Sequence, residues 1–386
     1  MNSKFIPFHK PAIGEDEIQS VVETLRSGWL TTGYKVKSFE ENFARYVGAQ
    51  YAVAVNSGTA ALHLGLDAVD LKEGDEVILP TMTFAATAEV VLYFKAKPVL
   101  VDCQRDTLNI DPTQIEAAIT PRTKVVIPVH MAGQPCDMTQ ILNIAHQHGL
   151  CVVEDAAHAL PADDRGKRIG TIGDITCFSF YATKTITTGE GGMVTTASEA
   201  WAERMRIMSL HGISHDAWKR YTKEGSWYYE VLYPGFKYNL TDIAAAIGIE
   251  QLKKCDRFWQ ARERIALLYQ HGLADLAEIQ LPTCRENAQH AWHLFVIQLN
   301  LERLKITRNE FIEALREQSI GTSVHFIPLH LHPYYRDRFG YKPEDFPNAS
   351  AVFDRIVSLP IYPGMTESDV EKVIEAVTNI TKANRR

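Results

Sequence analysis

Lys184 is the residue best placed to do chemistry. It follows the apolar run Cys177-Phe-Ser-Phe-Tyr181 and two small residues, and it precedes hydroxyls and the glycine cluster Gly189-Glu-Gly-Gly192. It is the one charged residue between Asp174 and Glu190. A lysine in such a setting loses solvent, and desolvation lowers the pKa of its ammonium. The neutral amine is a nucleophile that forms Schiff bases with carbonyl compounds and with pyridoxal phosphate. An arbitrary lysine is a solvated surface residue, so the argument needs support from other segments.

Those segments follow one pattern. Asn56-Ser-Gly-Thr-Ala-Ala61 joins a strand to a helix. Gly58 lets backbone approach a ligand, Thr59 offers a hydroxyl, and the helix start presents free N–H groups suited to a phosphate. Ser179, on the strand before Lys184, adds a second hydroxyl. In Pro80-Thr-Met-Thr-Phe84, Phe84 can stack on a flat heteroaromatic ring. Asp155, in Glu154-Asp155-Ala-Ala-His158, ends an apolar strand, where a carboxylate is costly without a positive partner. A protonated pyridine nitrogen is such a partner, and the pairing keeps the ring an electron sink. His158 can reach the same carboxylate or the ring's phenolic oxygen. Each segment alone has a plainer reading: a capped helix start, a core phenylalanine, an aspartate capping the next helix.

The elements that position these residues alternate. Tyr51–Val55, Glu76–Leu79, Pro98–Asp102, Val125–Val129, Cys151–Asp155 and Cys177–Tyr181 read as strands. Helical patterns over Thr59–Val69, Asp111–Ile119 and Met138–His148 lie between them. Continuous apolar strands alternating with helices predict an α/β fold with a mainly parallel sheet covered on both faces. Ligands then bind beyond the carboxyl ends of the strands. Past Gly235 the pattern changes. Thr241 caps a long helical stretch running to Gln270. Strands around His293–Leu299, a helix over Thr307–Gln318, the run Ser323–Leu329 and a helix over Glu367–Asn384 follow. This predicts a large domain over residues 1–245 and a smaller C-terminal α+β domain over 246–386, with the N-terminal segment able to pack on the latter.

The 386 residues suffice for two domains. Hydrophobic residues make up 46% and charged residues 23%, as in an ordinary globular protein. A net charge of −7 offers no basic stripe for nucleic acid. Six scattered cysteines without a CxxC pair point to reduced thiols in a cytoplasmic protein. No apolar leader and no run of membrane-spanning length occur. The chain lacks a GxGxxG fingerprint and a P-loop, so nicotinamide and nucleoside-triphosphate readings have no anchor. His325, His330 and His332 lack the carboxylates and spacing of a metal site, and no metal is expected.

The order of these segments resembles that of fold-type I pyridoxal phosphate enzymes. The chain is similar to the DegT/DnrJ/EryC1/StrS sugar aminotransferases in Ser27-Gly-Trp-Leu-Thr-Thr-Gly33, Asn56 to His63, Gly74 to Val77, Ile119 to Lys124, Pro128 to Gly133, Glu154 to His158, Phe178 to Gly192 and Tyr238 to Asp242. The resemblance implies that Lys184 holds pyridoxal 5'-phosphate as a Schiff base and shuttles the proton. Asp155 pairs with the pyridine nitrogen, Phe84 stacks on the ring, and His158 touches it. Gly58, Thr59 and Ser179 bind the phosphate. Asn239 is expected to reach the cofactor of the neighbouring subunit, which implies a homodimer with shared sites. Family members that act as dehydratases carry histidine at the lysine position, so Lys184 favours amino transfer.

The implied reaction moves an amino group from L-glutamate, released as 2-oxoglutarate, to a nucleotide-linked keto sugar. Tyr233 to Asp242, His290 to Phe295 and Ile320 to His325 look most like enzymes of UDP-linked 4-keto sugars, nearest the 4-amino-4-deoxy-L-arabinose branch. The product would serve cell-surface polysaccharide or lipid modification, as in lipopolysaccharide. A GDP-linked 4-keto-6-deoxymannose, a UDP-N-acetyl 4-keto-6-deoxyhexosamine and a 3-keto sugar are the alternatives. His325 is the expected sugar or nucleotide contact. Lys219, Arg220 and Tyr229, in the polar and aromatic stretch 214–233, are expected to cover the sugar diphosphate. Another pyridoxal phosphate chemistry, or a catalytically silent regulatory protein on this fold, are the competing readings.

Overall fold

The computed structural model describes residues 5–214 and 228–386. Lys219 and Arg220 lie outside them. Seven strands form one sheet. Across it run Tyr51–Val55, Gly192–Thr196, Ile175–Ser179, Cys151–Asp155, Thr123–Val126, Glu76–Pro80 and Lys97–Val101. The five from Ile175–Ser179 onward pair in parallel, and Gly192–Thr196 pairs antiparallel to both its neighbours. Every residue of Glu76–Pro80 is buried, as expected of a strand covered on both faces. Among the described residues, no helix is long and apolar enough to cross a membrane.

Two strands of this sheet differ from the sequence expectation by two residues or more. The regular part of the fourth strand is Thr123–Val126; Pro128 has no N–H to continue the ladder, and pairing resumes as a single parallel bridge between Val129 and Asp155. The lysine strand spans Ile175–Ser179, not Cys177–Tyr181. Phe180 and Tyr181 already belong to the turn, where Thr188 N–H donates to Phe180 O at 3.0 Å. The long helical stretch is two helices, Asp242–Lys253 and Cys255–Leu273. Lys254 separates them, its ammonium 2.8 Å from Glu17 Oε1. Thr241 caps the first, its hydroxyl accepting from Ala244 N–H at 3.3 Å.

Residue 245 lies within the first of these helices, so no linker stands there. Ala245, Ile249 and Leu252 pack with Phe39, Phe43 and Phe178. The second helix passes from that core to another. Its Cys255 and Phe258 belong to the first, and its Ile265, Tyr269 and Leu273 to the second. The second core is built on the small antiparallel sheet Ile279–Gln280, Phe295–Leu299 and Ile356–Leu359, with helices Arg308–Glu317 and Glu367–Ala383. Thr307 and Thr366 start these helices with capping boxes. Ile6 pairs with Ile320 inside this second core and holds the N-terminal segment to it. Several contacts cross to the large sheet. Ala288–Gln289 pairs with Asp163–Asp164. Leu329, Tyr335 and Phe346 pack into the core of the large sheet.

Candidate functional site

A cavity of about 510 Å³ opens at the carboxyl ends of the parallel strands, where an α/β sheet binds ligands. Gly58, Thr59, Phe84, Asp155, His158, Ser179, Lys184 and His325 all line it. Chain segments far apart in sequence thus meet there.

One end is a helix start. The helix Gly58–Ala68 is capped by Ser57, whose hydroxyl accepts from Ala60 N–H at 3.0 Å. First-turn N–H groups have no intrahelical partner, and Gly58 and Thr59 carry theirs at the cavity wall. A β-carbon on Gly58 would stand 2.9 Å from Ser179 Cβ. Only glycine lets the helix start and the end of strand Ile175–Ser179 close on one small anion-sized space. The positive end of the helix dipole faces the same place.

The floor is Asp155, only 6% exposed. Its Oδ2 accepts from the Thr87 hydroxyl at 2.8 Å, and that hydroxyl sits 2.8 Å from the hydroxyl of Thr83. Its Oδ1 accepts from Ala157 N–H at 3.1 Å. Burial pushes the carboxyl up from its ordinary value, while these bonds and the charge of Lys184 pull it back. A buried anion held this way is oriented for a cation within the cavity.

Lys184 sits on a turn made by local bonds. Its N–H donates to Tyr181 O at 2.9 Å, and the Thr187 hydroxyl donates to Phe180 O at 2.9 Å. Tyr181 pairs with Gly189, whose φ of 82° suits glycine. Burial pushes the Lys184 ammonium down to about 8, against the opposing charge of Asp155. A sizeable share of its amine is therefore neutral near physiological pH.

The remaining lining is largely ring surface. Phe84 is 61% exposed, with its ring centroid 5.8 Å from that of Phe326. His158 stacks on Phe326 at 5.8 Å and lies 4.4 Å from His293. Burial holds both imidazoles well below the usual histidine range, so they are neutral. The Nδ1 atoms of both are buried without a hydrogen-bond partner among the described residues. His325 stacks on Phe8 at 5.3 Å, and its Nδ1 is 2.9 Å from Ser358 Oγ.

Two expected residues stand apart from this cavity. Asn239 donates to Thr32 Oγ1 at 2.7 Å and lines a different cavity of about 420 Å³. Tyr229 is exposed and does not line the site. His330 is held elsewhere, between the hydroxyls of Thr81 and Ser350.

Sequence reading missed Thr87, His293, Phe8, Phe326 and Arg262. Thr83 and Thr87 carry a legible i, i+4 spacing, although nothing in it points to Asp155. His293 lay in a stretch read only for sugar preference. Arg262 is fully buried, and its NH1 donates to the carbonyls of Trp292, His293 and Ile361. It fixes the turn that sets His293 beside His158.

The lining fits pyridoxal phosphate on two local observations. The Gly58–Ser179 cradle takes an anion, and the unpartnered Nδ1 of His158 is a buried polar atom awaiting a ligand. Comparison with known proteins agrees. The family model of the DegT/DnrJ/EryC1/StrS aminotransferases matches residues 11–378. The chain belongs to this aminotransferase family. Uncharacterized protein MJ1066 of Methanocaldococcus jannaschii is 56% identical over 385 residues, covering 100% of both chains. Spore coat polysaccharide biosynthesis protein SpsC of Bacillus subtilis is 52% identical over 379 residues, covering 98% of this chain and 97% of SpsC. Among solved structures, Streptococcus pneumoniae Spr1654, described as a sugar aminotransferase, superposes in its pyridoxamine phosphate form with a TM-score of 0.92. It is 35% identical, over 98% of this chain and 99% of that one. Spr1654 is also known in a pyridoxal phosphate form. The fold of this aminotransferase family member is that of fold-type I pyridoxal phosphate transferases.

Proposed function

We propose that this aminotransferase uses pyridoxal phosphate to move the amino group of L-glutamate onto the keto carbon of a nucleotide-linked 4-keto sugar. The observation that carries the reading is one cavity with Lys184 and Asp155 facing into it and a helix-start anion cradle at its end. When bound, the cofactor supplies the aldehyde that captures amines and the ring that takes up carbanion charge.

The chain supplies everything else. The N–H groups of Gly58 and Thr59 and the hydroxyl of Ser179 would hold the phosphate. Phe84 would cover one ring face, with His158 lying against the cofactor ring. The fixed carboxylate of Asp155 would keep the ring nitrogen protonated. Lys184 Nζ, neutral in part because burial lowers its pKa to about 8, would take the α-proton of L-glutamate as a base. In the opposite half-reaction the same atom would return a proton to the sugar carbon. The rings of Phe8, Phe326 and His325 would exclude water from these transfers.

We assign the acceptor to the UDP-linked 4-keto sugars on the resemblance of Tyr233 to Asp242 and His290 to Phe295. The similarity to SpsC supports a product used in a cell-surface polysaccharide. Asn239 of the partner subunit would complete the phosphate site, so the working unit would be a homodimer. Lys219 and Arg220 would contact the diphosphate, whereas Tyr229, outside the cavity, is not assigned a contact.

Two measurements test this. Protein loaded with pyridoxal phosphate should be yellow, lose its visible band on adding L-glutamate, and release 2-oxoglutarate. Mass spectrometry after adding UDP-linked and GDP-linked 4-keto sugars and a 3-keto sugar nucleotide should then find an amine on the UDP-linked 4-keto sugar. A protein that stays colourless with the cofactor would be the silent regulatory form. A yellow protein that releases no 2-oxoglutarate would overturn amino transfer from glutamate.

A further inference from the structure

The N-terminal segment runs between the two cores and touches the lysine turn. Ile6 N–H donates to Ser319 O at 2.9 Å, and Gly321 N–H donates to Ile6 O at 2.8 Å. A β-carbon on Gly321 would stand 2.8 Å from Phe8 N, so the strap lies flat on that glycine. Phe8 then stacks on His325 at the cavity. The next residue, His9, places Nε2 3.1 Å from Ala182 O. A carbonyl only accepts, so Nε2 carries the proton and donates. Burial and the charge of Arg262 push the imidazole down to about 3, so His9 stays neutral through the working pH range.

Ala182 stands two residues before Lys184. On the side of the turn that carries Lys184 the other bonds are local: Lys184 N–H donates to Tyr181 O, and Gly189 N–H donates to Thr187 Oγ1. The far side has one distant tie, Thr187 N–H to Gln251 Oε1 at 3.3 Å. Without His9 the side carrying Lys184 is free to shift about that point. The bond from His9 spans 173 residues and anchors the turn to a different part of the chain.

We propose that His9 is a positioning residue for Lys184: its Nε2–H fixes the Ala182 carbonyl, and through Phe8 on His325 one strap joins the lysine turn to the opposite wall of the cavity. The inference rests on the reading of Lys184 as the cofactor-capturing lysine. Displacing a reacting amine by a fraction of its reach lowers a rate without weakening binding of the substrate.

The experiment uses cofactor-free wild type, His9→Ala, His9→Gln and His9→Asn. Each is mixed with pyridoxal phosphate, trapped with borohydride at timed intervals, and digested for mass spectrometry of the Lys184 peptide. The half-reaction with L-glutamate is then followed in the visible band. The Ala variant should slow both capture and the half-reaction by about tenfold, with KM for glutamate held within about twofold. The Gln amide can donate to the same carbonyl and should recover both rates to within about threefold. The shorter Asn amide should not recover them, which keeps the test open if the Ala variant fails to fold. Equal rates in wild type and the Asn and Ala variants would overturn the role. So would Gln as slow as Asn, which is the result of a packing contribution alone. Failure of wild type to label at Lys184 would instead overturn the reading beneath it.

Discussion

The two walls of the cavity are built by different physics. The wall that carries Asp155, Ser179 and Lys184 hangs from the ends of paired strands, and Gly58 meets it at a capped helix start. Its polar groups are fixed by short hydrogen bonds, such as Thr87 to Asp155 at 2.8 Å. The facing wall comes from the N-terminal strap and from residues 323–326. It is ring on ring: Phe8 on His325, Phe326 on His158, Phe84 near Phe326. Ladders and short hydrogen bonds fix atoms to tenths of an ångström, whereas stacked rings tolerate exchange of one ring for another. The first wall is suited to invariant chemistry. The second can change its preference for a sugar without disturbing that chemistry. Substitutions on the two walls should therefore fail in different ways.

The largest effect is expected at Lys184. Lys184→Ala should lose about 10³-fold or more in 2-oxoglutarate release, since the group proposed as both nucleophile and proton carrier goes. Its cofactor-free form should nevertheless stay folded. The pKa of Lys184 is depressed in the folded state, so the stability it contributes is present above its ordinary value of 10.5 and lost as pH falls through about 8. Near pH 7 the variant should then melt no lower than wild type, with the comparison read from thermal unfolding of the two apoproteins. Ordinary turnover by this variant would remove the lysine from the mechanism.

Asp155→Asn comes next. It keeps the shape of the wall and removes its charge, and should cost about 10²-fold in the glutamate half-reaction. The carboxyl has a raised pKa in the folded protein. Its contribution to apoprotein stability is thus full below the ordinary value of 3.8 and lost as pH rises through the folded value. The Asn variant lacks that loss, so at neutral pH its apoprotein should melt higher than wild type while it turns over more slowly. A lower melting temperature would mean that the hydrogen bonds of Thr87 and Ala157, not burial, dominate at this residue.

The pH dependence of capture sharpens the same point at smaller scale. Covalent capture of pyridoxal phosphate by the apoprotein needs the neutral amine, so its rate should rise with pH and level off above about 8. Asp155 opposes that shift through its charge. In Asp155→Asn the midpoint should therefore move lower, as stopped-flow absorbance would record. An unmoved midpoint would show that the two groups do not sense each other across the cavity.

The first wall was also the legible one. Gly58 and Ser179 become legible only through the order of the segments. Asp155 and Lys184 are legible because a charge at the end of an apolar strand is costly without a partner, and local sequence displays that conflict. The strands were legible for the same reason: continuous apolar runs have few other uses. The second wall was mostly silent. Phe8 and Phe326 are apolar residues in segments without periodicity, and their arrival at one cavity depends on how Ile6 pairs with Ile320. The break at Lys254 was unreadable because lysine is a good helix former, and the turn there serves an ion pair with Glu17. His325 was singled out only through resemblance, although its cavity placement comes from a hydroxyl 33 residues away in sequence.

The smallest effect, and the cleanest separation of the walls, is expected at His325. Its Nδ1 meets Ser358 Oγ at 2.9 Å, and its ring rests on Phe8. Burial and the charge of Lys184 push its pKa down to about 4, so it faces the cavity as a neutral ring. A neutral imidazole can offer a donor or an acceptor to a sugar hydroxyl but cannot pair with a phosphate charge. His325→Ala should therefore raise KM for the keto-sugar nucleotide by about tenfold, equivalent to about 1.4 kcal/mol, and leave the glutamate half-reaction within about twofold. His325→Gln keeps a donor and an acceptor and should recover part of that loss. Because the imidazole titrates near 4, the KM ratio of wild type to variant should stay flat from pH 6 to 8. A ratio that changed across this range would mean that His325 carries charge when the sugar binds. A glutamate half-reaction that slowed along with sugar binding would mean that the two walls are mechanically one.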